Sequence, residues 1–512
     1  MATVAALSSL PQALPKAFIK QLQQAVGKAY VLTAPEEQRV YECDAYLLMQ
    51  APPQAVVLPI STQQVADVVK ACNQFDIAFT ARGAGTGLSG GALALQGGII
   101  ISLNRMQRIV AIDEANQTAT VEAGVVNGRL NEVLASSNFF FAPDPSSQSA
   151  STIGGNIAEN AGGIHCLKYG VTTDHVLALE MVTTEGEVIW LGSSNRFNRG
   201  LNLTGLLTGS EGTLGIVTQA LVALTRRPQA IQVFLAAFPN IQTAANCVSA
   251  IMRDGLAPAA LELMDAFTVR AVNAAFGVGF PEDSEAVLLI EIDGTKASLA
   301  QRGTVLNDLL KSHQALQIKE ATTPEDRHNL WQARKKAVAS YGRYYPAFYL
   351  HDCVIPRSQL APVLSQILAV CEHHNVAIAN VFHAGDGNLH PHILFNPKDD
   401  GIHNRVHAAG VAIIDICLAA GGTLSGEHGI GIEKAHLMPK VFNPADLERM
   451  AAIKSVFDLS GRCNPGKLFP VRHGCGEVGA HGPFGKALVN TMPQQTWLGR
   501  SIAALAERGL WI

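Results

Sequence analysis

Arg82-Gly-Ala-Gly-Thr-Gly-Leu-Ser-Gly-Gly91 packs five glycines into ten residues, between apolar runs at 77–80 and 99–103. Residues 85–90 spell G-x-G-x-x-G, the pattern of dinucleotide-binding turns. That pattern must open a helix and be followed about 20 residues later by an acid. Here Ala92-Leu-Ala-Leu-Gln96, Gly97-Gly98 and a strand follow, and position 110 is Val. The doubly wound dinucleotide fold is therefore excluded. The loop can still turn successive backbone N–H groups towards a pyrophosphate, since no side chains block the approach. An ordinary glycine-rich turn has the same composition.

Outward from this loop the pattern is mixed helix and strand. A run at 56–58 precedes a Ser61/Thr62 cap and helical spacing at Val65, Val68, Val69 and Cys72. Strands are expected at 109–112 and 118–122 around a turn, then a helix over 126–136. Residues 143–170 are nearly all loop formers: PDPSS (143–147), STIGGNIAENAGG (151–163) and KYG (168–170). So long a loop calls for a function. Its small residues suit close contact with a flat aromatic ligand, whereas Ile153, Ile157 and Ala158 are odd choices for a plain surface loop. Strands at 176–183 and 188–191 lead to GSEGTLGIVT (209–218), a strand at 220–224 and a boundary at Arg226-Arg227-Pro228.

Beyond 229, strand-like 231–237 and 286–291, the LELMD run (261–265) and a helix at 241–253 suggest an antiparallel sheet with helices on one face. A helix over 324–341 follows. The division expected is a helical N-terminal segment (1–48), a first domain (49–228), a second domain (229–470) and a tail (471–512).

Length and composition narrow the function. At about 150 residues per domain, 512 residues make two to four domains. Lys and Arg total 38 and Asp and Glu 42, a net charge of −4, with no sustained run of either sign. That disfavours a nucleic-acid binder. The uncharged stretch 45–66 contains Pro52, Pro53 and Pro59, and no run approaches 18 consecutive apolar residues, so no transmembrane segment is expected. The first 21 residues lack the pattern of a secretion signal. Nine Cys without a C-x-x-C pair argue against an iron–sulfur site and for a reducing, cytoplasmic setting.

Two segments in the C-terminal half carry chemistry. His383-Ala-Gly-Asp-Gly-Asn-Leu-His390 lies between strand-like 376–382 and 392–395, so it reads as a hairpin with both imidazoles at its mouth. Paired histidines are common metal ligands, though a polar hairpin tip would look the same. Ser425-Gly-Glu-His-Gly-Ile-Gly431 places Glu427 next to His428 ahead of an expected helix at 432–439. In extended backbone the two point opposite ways. One could complete a His/His/Glu metal site while the other faces a substrate.

Taken in order, RGAGTGLSGGA, PDPSS, STIGGNIAENAGG, KYG and GSEGTLGIVT resemble the FAD domain of the vanillyl-alcohol oxidase (p-cresol methylhydroxylase, PCMH-type) superfamily. HAGDGNLHP, SGEHGIG and NPGK resemble its FAD-linked oxidase C-terminal domain. The combination is similar to the FAD-binding subunits of glycolate oxidases (glycolate dehydrogenases) and to D-lactate and D-2-hydroxyglutarate dehydrogenases, over roughly 40–470. The fold implied is α+β: a PCMH-type FAD-binding domain of two subdomains, plus a ferredoxin-like antiparallel-sheet cap domain with C-terminal helices.

The resemblance also implies a site. Arg82, Gly83, Ala84, Gly85, Thr86 and Gly87 would cradle the FAD pyrophosphate. Pro143, Ser147, Thr152, Gly155, Asn156 and Gly162, with Glu211, Gly212 and Ile216, would embrace the isoalloxazine and ribityl parts, and Asn464 of NPGK would also bind the cofactor. His383, His390 and Glu427 match a divalent metal site, zinc or manganese; His428 matches the catalytic base, and Arg334 the holder of the substrate carboxylate. Thr86 stands where some relatives carry a flavin-linking His, so FAD is expected to be noncovalent. Leu350 stands where hydroxyglutarate enzymes carry a Lys, which favours a small monocarboxylate such as glycolate or D-lactate.

The activity implied is oxidation of a small 2-hydroxy acid to the 2-oxo acid, with electrons passing to an iron–sulfur subunit, a quinone or another non-NAD acceptor. A homodimer or a subunit of a complex is expected, in the cytoplasm or peripheral at a membrane. Competing readings are a non-redox transferase resembling alkyl-dihydroxyacetonephosphate synthase and a non-catalytic flavin subunit.

Overall fold

Strand Phe79–Arg82 ends where the glycine loop begins, so the loop leaves the carboxyl end of a parallel strand. The computed structural model describes residues 13–46, 48–194, 200–281 and 283–470. The proposed tail (471–512) and the start of the N-terminal segment lie outside them. Phe79–Arg82 pairs in parallel with Ile99–Ser102, which pairs in parallel with Ala55–Val57; Val31–Leu32 closes the edge antiparallel. Helix Thr62–Phe75, capped by Ser61, packs its apolar face on this sheet together with Lys16–Val26.

A second, antiparallel sheet runs in the order Ile109–Asp113, Thr118–Glu122, Ile216–Ala223, Val176–Val182 and Val188–Gly192. Between these sheets the stretch 143–170 departs from expectation. It is not all loop, because Ile153–Glu159 is helical. The Thr152 side chain accepts from the Gly155 N–H at the start, and Asn160 ends the helix in the left-handed region at φ 52°. Ile153 and Ile157, one turn apart, are buried.

The third sheet is antiparallel and has nine strands. At its centre Ala230–Phe238, Ala286–Gly294, Ala260–Asp265 and Ala377–His383 lie side by side. Helices cover both faces rather than the one expected. Phe234, Ala236 and Phe238 join a core with the helices Ile241–Arg253, Lys296–Ser312 and Leu360–His373, while Val233, Leu235 and Ala237 join another with Ala266–Phe276 and Pro324–Lys335. A strand apolar on both faces has no solvent side to leave bare. The helix expected over 324–341 stops at Lys335 and resumes over Ala337–Ser340; the one expected at 432–439 is a 3-10 helix over Ala435–Lys440. Helix Ile402–Ala419 is long and apolar enough by composition to cross a membrane. Its Val406, Ala409, Ile413 and Cys417 are instead packed in the sheet's core.

Several contacts tie the second half of the chain to the first. Cys463 bridges to Phe79, and the Asn464 side chain donates to the carbonyls of Gly91 (3.0 Å) and Glu211 (2.7 Å). His165 lies between Asp144 (2.8 Å) and Glu291 (3.1 Å), while Lys168 and Tyr169 bond Asp293. Burial opposes the charge on His165, but the two carboxylates outweigh it and hold the ring at about 10. A pKa raised in the folded state stabilises fully below the unfolded value of ~6.5, and that contribution is lost as pH rises to the folded value. The urea midpoint of the native chain is therefore expected to decline between pH ~6.5 and 10 more steeply than that of His165→Gln; equal slopes would contradict it.

Candidate active site

Several chain segments close over one cavity of about 520 Å³. The glycine loop forms one wall, helix Ile153–Glu159 and residues 210–217 another, and the mouth of the 383–390 hairpin with residues 427–428 a third. Of the expected cofactor contacts, Arg82, Gly83, Ala84, Gly85, Thr86 and Gly87 line it. So do Ser147, Thr152, Gly155, Asn156, Gly162, Glu211, Gly212 and Ile216. Pro143 and Asn464 do not. The Pro143 carbonyl accepts from Asn127, and Asn464 ties the loops behind the wall.

This wall suits an anionic, flat cofactor. Arg82 is 7 % exposed, and its Nη1 is buried without a hydrogen-bond partner among the described residues, which leaves a cation for a phosphate. At Gly87 and Gly212 a Cβ would meet nothing closer than 3.7 and 4.0 Å, so it would occupy cavity space. Glycine is needed at 212 for a second reason, its φ of 65°.

At the other end the hairpin forms as the sequence suggested. His383 and Asn388 pair across it, and the rings of His383 and His390 sit 5.1 Å apart. Glu427 meets both: its Oε1 is 3.2 Å from His383 Nε2 and 3.3 Å from His390 Nε2. Bonds of about 2.0–2.2 Å to a tetrahedral ion separate its ligand atoms by about 3.3 Å. The donor set therefore fits a divalent ion with an open position, and the three ligand atoms lie within 4.8 Å of one another. Without a cation the same contacts favour a protonated ring. Burial acts against charge on His383, yet Glu262 and Glu427 outweigh it and hold its pKa well above the usual range.

His428 does not point away from Glu427. Residues 426–428 are bent rather than extended, and both side chains line the cavity. The cause is Asp352, fully buried, whose Oδ2 accepts from the N–H groups of Gly426 (3.0 Å), Glu427 (3.1 Å) and His428 (2.8 Å) and from the Ser425 hydroxyl (2.6 Å). His428 stacks on His390, with centroids 5.0 Å apart and planes 3° from parallel. Burial pushes it down to about 4, partly opposed by Asp352, so the ring is neutral and able to accept a proton.

Arg334 reaches the same cavity from helix Pro324–Lys335. It is not free, since Glu262 binds its Nε at 2.7 Å. Leu350 and Phe348 also line the cavity, as does His392, whose two ring nitrogens are buried without partners among the described residues.

The sequence reading missed Glu262, Asp352 and Glu159. Glu262 had a signal, a charge flanked on both sides by apolar residues in a core strand. Glu211 is buried and Glu159 half-buried, both facing Gly429, and desolvation raises both pKa values. Glu211 also accepts from the N–H groups of Ile430 and Gly431, which binds the 428 loop to the cofactor wall.

Comparison with known proteins gives a consistent result. Residues 53–192 match the FAD binding domain family model, and 227–468 match that of the FAD linked oxidases, C-terminal domain. The glycolate oxidase subunit GlcD of Escherichia coli K12 is 39% identical over 472 residues, 92% of this chain and 95% of that protein. The mitochondrial D-lactate dehydrogenase [cytochrome] of Arabidopsis thaliana is 31% identical over 82% of this chain and 74% of its own length. Among solved structures, p-cresol methylhydroxylase with substrate bound superposes with a TM-score of 0.76 at 16% identity, covering 90% of this chain and 98% of that one. That likeness bears out the PCMH-type α+β fold.

Asp352→Asn keeps the shape but sets an amide group among N–H donors. It is expected to cost about 2–3 kcal/mol by chemical denaturation, as hydrogen bonds to a charged group are lost; a change below ~0.5 kcal/mol would show that Asp352 does not hold the loop.

Proposed function

The chain belongs to the FAD-linked oxidoreductases of the glycolate oxidase and D-lactate dehydrogenase type, and from that premise we propose that it oxidises a small 2-hydroxy monocarboxylate, glycolate or D-lactate, to the 2-oxo acid. The observation that carries the proposal is the trio His383, His390 and Glu427, set beside a neutral His428 in the cavity lined by the glycine loop.

Arg334 pairs with the substrate carboxylate, as a planar guanidinium matches two oxygens. His428 accepts the proton of the 2-hydroxyl, for which a neutral imidazole is required. His383, His390 and Glu427 would hold a zinc or manganese ion, which when bound lowers the pKa of a coordinated hydroxyl. Bound FAD supplies the acceptor for the hydride from C2. Its noncovalent attachment is supported by Thr86, which offers no ring nitrogen at the loop. Leu350 and Phe348 give the substrate's far end an apolar wall, which supports a monocarboxylate over a dicarboxylate.

Reoxidation then needs a separate acceptor, an iron–sulfur subunit or a quinone, and the name of one relative, a glycolate oxidase subunit, supports assembly in a complex. A non-redox transferase would have no use for three cation ligands beside a base.

Under anaerobic conditions glycolate or D-lactate is expected to bleach the flavin, and a chelator to slow this by at least about tenfold. His428→Ala is expected to retain FAD yet reduce the bleaching rate roughly 10²–10⁴-fold. Native bleaching in His428→Ala would remove it as the base, and no bleaching of the native protein by any 2-hydroxy acid would refute the activity.

A further inference from the structure

Glu262 sits in the middle of strand Ala260–Asp265 with 0 % exposure. Both its oxygens are committed. Oε1 is 2.7 Å from His383 Nδ1, and Oε2 accepts from Arg334 Nε at 2.7 Å and Nη2 at 2.5 Å. Glu262 does not line the cavity, whereas Arg334 and His383 do. We infer that Glu262 is a positioning residue that sets two functional side chains at once, presenting the terminal edge of Arg334 to the substrate carboxylate and Nε2 of His383 to the cation. The inference rests on the roles proposed above for Arg334 and His383.

Three observations support it. Glu262 engages the Nε–Nη2 edge of the guanidinium, so the Nη1 end makes no hydrogen bond among the described residues. With Nδ1 of His383 held by a carboxylate, the ring's second nitrogen is fixed towards Glu427. Glu262 and His383 are also direct partners across two antiparallel strands, so the sheet's register sets the distance between them. Stability alone gives little reason for such a group. A buried ion pair is seldom worth more than well-packed apolar residues of similar volume, and the neighbours Leu261 and Leu263 are already apolar and buried.

The test uses the full-length, FAD-loaded chain and the variants Glu262→Gln, Glu262→Asp, Arg334→Ala and His383→Ala. Zinc or manganese content is read after dialysis against buffered metal series, and pyruvate binding from the perturbation of flavin absorbance. In Glu262→Gln, metal affinity is expected to fall about 10–100-fold and pyruvate affinity by roughly tenfold or more, with FAD content unchanged. Glu262→Asp, one methylene short, is expected to restore one affinity in part but not both.

Retention of both affinities within about twofold in Glu262→Gln, with only the melting temperature altered, would overturn the inference. Loss of one affinity alone would overturn the claim that a single carboxylate sets both. If Glu262→Gln did not retain FAD, Glu262→Asp would carry the test, and native values for both affinities there would overturn it. Native binding in Arg334→Ala and His383→Ala would instead defeat the roles proposed for those residues. Losses in those two with native behaviour in Glu262→Gln would defeat the positioning claim alone.

Discussion

A carboxylate sealed from water stays an anion only where cations or N–H donors face it. The substrate end of this cavity is a chain of such pairings. Arg334 meets Glu262, Glu262 meets His383, and His383 meets Glu427, which in turn meets His390. Asp352 stands 3.7 Å beyond His390, too far to hydrogen-bond it, and spends its charge on the backbone of 426–428. Opposite charges outweigh burial for Glu262, Glu427 and Asp352, and all three pKa values are held below the usual carboxylate range. Removing Glu262 would leave Arg334 buried without its carboxylate, and removing Glu427 would leave His390 without its nearest one.

The chain also explains why elements far apart in sequence converge. Glu262 comes from a central strand, Arg334 from a helix on one face of the same sheet, the histidines from a hairpin, and Glu427 from a loop pinned by Asp352. That loop in turn binds Glu211 of the cofactor wall through Ile430 and Gly431. The groups proposed to act on the substrate are thus tied to the wall that faces the flavin.

Much of this was legible in the residues, and the rest was hidden for identifiable reasons. The glycine loop and the two-histidine hairpin are local patterns, and both formed where their spacing placed them. Helix Ile153–Glu159 escaped because its glycines mask an ordinary Thr152 cap and a buried Ile153/Ile157 pair. The sheet covered on both faces was foreshadowed by unbroken apolar runs, whose period does not say how many layers lie above them. Glu427 and His428 share the cavity because three N–H groups converge on Asp352, a contact across 76 residues that no local pattern encodes. Arg334 was placed at the cavity, but its partner Glu262 lies 72 residues upstream.

The central claim is that His383, His390 and Glu427 hold one cation beside His428. Anomalous diffraction from crystals of the FAD-loaded protein, recorded on both sides of the zinc and manganese absorption edges, tests it directly. The account predicts one peak about 2.0–2.2 Å from the Nε2 atoms of both histidines and from a Glu427 oxygen. A fully active crystal with no peak there, and His383 bonded directly to Glu427 instead, would contradict it.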